Sequence, residues 1–130
     1  MHCIFCQDIK ETEKIFVTSD FFGVFDLNPE QAGHLLIISR RHVMKLTDLN
    51  PQEVAAFFPL VQKCVAILER NFPVLGTTVV LNNGGAMDEG VHFHAHLIPR
   101  YANDQFWQGR VVQQHSLAVA KWRQLLSELS

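Results

Sequence analysis

Three histidines alternate with apolar residues in His92-Phe93-His94-Ala95-His96-Leu97-Ile98. In an extended chain, successive side chains point to opposite faces. His92, His94 and His96 would then share one face at ~7 Å spacing, with Phe93, Ala95 and Leu97 on the other. Such a row admits three readings: imidazoles without chemistry, a metal site, or a histidine nucleophile steered by its neighbours. Neutral imidazole is a fair nucleophile near neutral pH and can take a phosphoryl group. It needs an acceptor that fixes its tautomer and a further polar group to support the phosphate. A second set of reactive groups lies at the N-terminus, where Cys3-x-x-Cys6 has metal-ligand spacing. Tetrahedral zinc would need two more ligands, and His42 and His92 are the candidates. Two buried free thiols are the alternative. A redox pair fits poorly, because it normally follows a strand and opens a helix in a thioredoxin-like unit. Cys64 falls inside a helical pattern and reads as a small core residue.

The elements that must position these groups follow from periodicity and turn residues. Ile15–Thr18 and Phe21–Phe25 read as two strands around Ser19-Asp20. Asn28–Gly33 is a turn-rich loop, and His34–Ser39 a short buried strand. Asn50 can cap a helix, with Pro51 at its first position, Glu53 completing a capping box and Leu49 with Val54 as a hydrophobic staple. Val54, Phe57, Phe58, Val61, Val65, Leu68 and Phe72 then fall on one helical face, and Pro73 ends the helix. Thr77–Asn82 is β-branched and reads as a strand, Asn83–Gly90 as a glycine-rich loop, and His92–Ile98 as the histidine strand. A last helix is expected within Ser116–Leu129, with Trp122, Leu125, Leu126 and Leu129 on one face. The order predicts an α+β fold, an antiparallel sheet with helices on one side.

Composition bounds the function. The chain has 130 residues, the usual size of one domain, and no linker divides it. With 48% hydrophobic residues it can build a proper core. A formal net charge of -2 and no basic run argue against polymeric nucleic acid as a partner. An odd cysteine count without a secretory signal does not read as a disulfide framework. The apolar run Val54–Val61 is far too short to span a bilayer. A soluble cytoplasmic protein is expected, without membrane contact.

His92-Phe93-His94-Ala95-His96-Leu97-Ile98-Pro99-Arg100 resembles the signature of the histidine-triad (HIT) family. Gly33-His34-Leu35-Leu36-Ile37-Ile38 resembles the family's upstream histidine strand, and Val80-Leu81-Asn82-Asn83-Gly84 its following segment. Cys3-Ile4-Phe5-Cys6 resembles the start of many bacterial members. The resemblance implies a five-stranded antiparallel sheet with two helices, joined sheet to sheet in a homodimer. It implies hydrolysis or transfer at a nucleotide α-phosphate through a covalent nucleotidyl-histidine. His94 corresponds to the nucleophile, His96 and His34 to the histidines lining the phosphate site, and Asn82 to an asparagine near the scissile phosphate. Asp26, which on its own reads equally as a turn residue, would bind both ribose hydroxyls. Phe5 and Leu27 match positions around the base. The four-ligand set Cys3, Cys6, His42 and His92 matches a structural zinc site in some members. The ligand expected is a purine nucleotide or nucleotide conjugate: a phosphoramidate, an aminoacyl-adenylate or a dinucleoside polyphosphate. The chain departs from the pattern at Asp88 and Glu89, where family hydrolases commonly carry Gln and Ser or Thr. Carboxylates beside a phosphate repel it. They leave open a second reading, a nucleotide-binding regulatory module with weak or no catalysis. Arg100 could meet distal phosphates or be a lone surface arginine, and Phe106 and Trp107 could contact ligand or partner.

Overall fold

The computed structural model describes residues 1–130. Its strands are β1 (Phe16–Val17), β2 (Phe21–Phe25), β3 (Leu35–Ser39), β4 (Gly76–Leu81) and β5 (His94–Arg100). Its helices are α1 (Ile4–Gln7), α2 (Pro51–Asn71) and α3 (Val119–Ser127). The strands form one antiparallel sheet in the order β1-β2-β3-β5-β4. The expected five-stranded sheet is present, and α1 is a short helix the cysteine segment did not announce.

Register decides what each face carries. Ile37 pairs with Gly23 and Ala95, while Leu36 pairs with Val24 and His96, and Ile38 with Phe22 and His94. One face therefore presents Phe21, Ile37, Ala95 and Leu97, which pack with Phe93 and Val61 against Phe57, Leu60, Cys64 and Val65. The opposite face presents Phe22, Val24, Leu36 and Ile38 with His94 and His96, and receives Phe5 and Ile9 from the N-terminal segment. The helix supplies the core on one side, and the chemistry sits on the other.

α2 begins as its sequence dictates. The Asn50 side chain accepts from the Glu53 backbone N–H at 2.8 Å, and the Glu53 carboxylate accepts from the Asn50 N–H at 2.8 Å. The same carboxylate is 2% exposed and takes two bonds from Arg41, at 2.7 and 3.0 Å. This ties the segment that carries His42 to the start of the helix. Pro59 stays within the helix on its exposed side, at the loss of one backbone bond.

Three expectations need correction. His92 precedes β5 rather than lying in it. The inward face of α2 is Phe57, Leu60, Val61, Cys64 and Val65, while Val54, Phe58 and Phe72 stay exposed. The helix is apolar over a wider arc than one sheet face can cover. With Val54 57% exposed, no staple buries it against Leu49. α3 forms, but Trp122, Leu125, Leu126 and Leu129 on it remain exposed. No helix is long and apolar enough to cross a membrane.

Candidate active site and metal cluster

His94 is 6% exposed on the site face of the sheet. Its Nδ1 lies 2.8 Å from the His92 carbonyl oxygen. A carbonyl only accepts, so Nδ1 carries the proton and Nε2 keeps its lone pair. Burial pushes the imidazole below its ordinary value, against the opposing pull of that hydrogen bond, Asp26 and Asp88. The ring is thus neutral at physiological pH, with its basic nitrogen free.

The same logic runs through the neighbouring histidines. The Glu30 backbone N–H donates to His34 Nδ1 at 3.1 Å. His34 Nε2 must then carry the proton, and it lies 2.9 Å from His96 Nδ1. His96 in turn holds its proton on Nε2, free to donate to an anion. Burial lowers His34, and burial with the adjacent His94 and His34 rings pushes His96 down to about 4. Backbone geometry at Glu30 therefore fixes two tautomers in series. Gly33, at a φ of 87°, makes the turn that brings His34 into place.

A cleft of about 230 Å³ opens beside these rings, walled by Phe5, Ile9, Val24, Leu27 and Leu36 with Asp26, Asn82, His94 and His96. Phe5 meets His94 edge-on, centroids 5.0 Å apart. Asp26 accepts from the Asn28 N–H at 2.9 Å and stands 3.6 Å from His34 Nε2. Leu27 is a rim residue, 91% exposed. The structure brings together His34, Asp26, Leu27, Asn82, His94, His96 and Phe5. Sequence reasoning missed Ile9, Val24 and Leu36; Val24 and Leu36 share a face through β2–β3 register, and Ile9 packs onto it from the N-terminal segment, which no single segment reveals.

Cys3, Cys6, His42 and His92 form a separate cluster whose ligand atoms all lie within 4.8 Å of one another. His92 Nε2 donates to the Ser39 carbonyl at 2.7 Å, leaving Nδ1 facing the Cys3 and Cys6 sulfurs at 3.3 and 3.6 Å. His42 Nδ1 is 3.3 Å from Cys6 Sγ. Burial and the adjacent Cys3 hold the Cys6 thiol above its ordinary value. Two sulfurs and two oriented imidazole nitrogens suit a tetrahedral metal, and the Ser39 carbonyl is the outer hydrogen bond such a histidine needs. This cluster could hold a metal ion. Cys64 stands apart, partly buried in α2.

Arg100 is not a lone surface arginine. It donates to Asp104 at 2.7 and 3.0 Å and to Thr78 at 2.8 Å. Phe106 and Trp107 stack on each other and line a second cavity that also touches His96.

An antiparallel sheet with buried, tautomer-locked histidines on one face defines a class, and the comparisons agree. The HIT domain model matches residues 8–103, and the chain belongs to the HIT family. It is 33% identical over 114 residues to the adenosine 5'-monophosphoramidase of Schizosaccharomyces pombe, covering 84% of this chain and 81% of that one. It is 31% identical to the adenylylsulfatase of Arabidopsis thaliana, covering 92% of this chain and 62% of that one. Among solved structures, a HIT family protein from Bacillus anthracis superposes with a TM-score of 0.74 at 27% identity, covering 98% of this chain and 94% of the other. A zinc-bound histidine triad protein from Mycobacterium smegmatis gives 0.69 at 26% identity, with coverage of 98% and 94%.

Proposed function

We propose that the protein is a nucleotide hydrolase that acts at the α-phosphate through a covalent nucleotidyl-His94 and releases a nucleoside monophosphate. The observation that carries this is the His94 ring, neutral and pinned through Nδ1 to the His92 carbonyl at 2.8 Å. Its Nε2 lone pair forms the bond to phosphorus, the bond to the leaving group breaks, and the leaving atom takes a proton from solvent. Water then attacks phosphorus, the P–N bond to His94 breaks, and the nucleoside monophosphate departs. Two moderate barriers replace one high one. The protein's part is positioning and charge stabilisation. His96 Nε2–H donates to a phosphate oxygen, held in that tautomer by His34. Asn82 supplies an amide to the same region, Asp26 takes the ribose hydroxyls, and Phe5 and Leu27 flank a purine base.

A zinc ion bound by Cys3, Cys6, His42 and His92 would be structural, because four protein ligands leave no place for water. It would pin the N-terminus to the start of β5. A homodimer is supported by apolar surface left open on α2 and the edge strand β4, including Val54, Phe58, Ile67 and Val79. Three free thiols favour a reducing compartment, the cytoplasm.

The test is to acid-quench the enzyme during turnover of an adenosine phosphoramidate, an aminoacyl-adenylate and a dinucleoside polyphosphate, and to weigh the intact protein. A nucleotidyl adduct is expected, absent in His94→Ala, with turnover down on the order of 10³-fold or more. Turnover unaffected by His94→Ala overturns the mechanism. Nucleotide binding without turnover on any of these substrates instead supports a regulatory module, the reading that carboxylates near the phosphate site favour.

A further inference from the structure

Two cavities meet at the histidines. The inner one is the apolar cleft, and the outer one is lined by Glu30, Thr78, Phe106, Trp107 and Arg110. Asp26, Asn82, Asp88 and His96 line both. On the nucleotide reading above, a phosphorus attacked by His94 would sit at that shared wall and the outer cavity would receive the group that leaves. The shared wall holds two carboxylates and no lysine or arginine.

Asp88 is held there by its loop rather than by its own side chain. Buried Met87 precedes it, and the Gly90 carbonyl behind it accepts from the Ile4 N–H at 2.7 Å. Glu89, its sequence neighbour, lines neither of these cavities but a third one beside the metal cluster, with Cys3, His42 and Lys45, which Asp88 also borders. Of the two carboxylates that read as a pair in the sequence, Asp88 is the one that lines the cavities at the histidines. The outer cavity sets Asp26, Glu30 and Asp88 against one guanidinium, Arg110, which is stacked 4.4 Å from the Phe106 centroid. His34 and His96, kept neutral by burial, do not offset the imbalance. Such a site repels a departing phosphate chain and attracts a cation.

We propose that Asp88 sets specificity on the leaving-group side, selecting nucleotide conjugates whose leaving group carries an ammonium over those whose leaving group is a phosphate chain. The inference rests on the nucleotide reading above. It adds to that reading which conjugates the site takes.

Binding of uncleavable ligands tests it without needing turnover. Three adenosine 5'-alkylphosphonates of equal chain length, ending in an ammonium, a methyl or a second phosphonate, are titrated calorimetrically into the full chain and into Asp88→Asn. The native protein is expected to bind the ammonium ligand most tightly. Asp88→Asn should cut its preference over the phosphonate-ended ligand by about tenfold, the scale of removing one nearby charge in a partly solvated site. The methyl-ended ligand should change little, and added salt should shrink the effect. A native preference for the phosphonate end, an unchanged ratio in Asp88→Asn, or equal loss for all three ligands overturns the role of Asp88. In each of those cases tight binding of the methyl-ended ligand to the native chain keeps the nucleotide reading. Failure of the native chain to bind any of the three overturns both.

Discussion

Arg41→Ala should destabilise the protein by about 3 kcal/mol, because it leaves a buried carboxylate without its cation. Glu53 is 2% exposed and takes two bonds from Arg41, at 2.7 and 3.0 Å, and one from the Asn50 N–H. Removing one partner of a buried pair costs roughly 3–5 kcal/mol. The Arg41 side chain is 54% exposed, so water reaches one side of the pair and the low end applies. Arg41 also donates to the Asp48 carbonyl, so the loop leading into α2 loosens as well. Taking ~2.1 cal/mol/K per residue for the unfolding entropy, 130 residues turn that loss into a Tm drop of roughly 10 °C. Urea denaturation and thermal scans measure it. Replacing both residues, Arg41→Met with Glu53→Met, should recover much of the loss, since no charge then stays buried. Acid gives an independent check. Arg41 holds the Glu53 carboxyl below its ordinary value. The stabilisation is therefore full above the unfolded value of about 4.3 and vanishes as pH falls through the depressed folded value. The gap between native and Arg41→Ala should close in acid. A loss under about 1 kcal/mol at neutral pH, or a gap that widens as pH falls, would refute the account.

Three further outcomes follow from the site. Metal analysis should find close to one zinc per chain, lost in Cys3→Ser and kept in Cys64→Ser, whose sulfur lies in α2 away from the cluster; equal content in all three would remove the metal site. The acid limb of kcat/KM, measured on a substrate with no titrating phosphate, should fall well below pH 6.5, because burial lowers His34, His94 and His96. An ordinary histidine would retain only about a tenth of its neutral form at pH 5.5, and this site should retain a larger fraction. Since unfolded histidines take protons near 6.5 and these buried ones resist, stability should decline as pH drops below that point.

The period of two in the histidine segment made β5 and its two faces legible, and Ala95 and Leu97 do lie in the core. Capping chemistry at Asn50, Pro51 and Glu53 placed the start of α2 correctly. Elsewhere local pattern gave out. His92 continues the alternation but not the strand, because its ring turns to the Ser39 carbonyl and the thiols. The α2 sequence is apolar around too wide an arc to say which stripe meets the sheet, and only tertiary packing chooses. Asp88 and Glu89 are both carboxylates, and only the path of the loop decides that Asp88 and not Glu89 lines the cleft at the histidines.

One turn of helix and its N-cap residue carry both thiols and the phenyl ring between them. Phe5 lies edge-on to His92 in the sulfur cluster at 5.5 Å and to His94 in the cleft at 5.0 Å. The nucleobase wall and the anchoring knot thus share a hinge pin. Oxidising or unclasping the cysteines should slacken substrate grip before any catalytic imidazole moves.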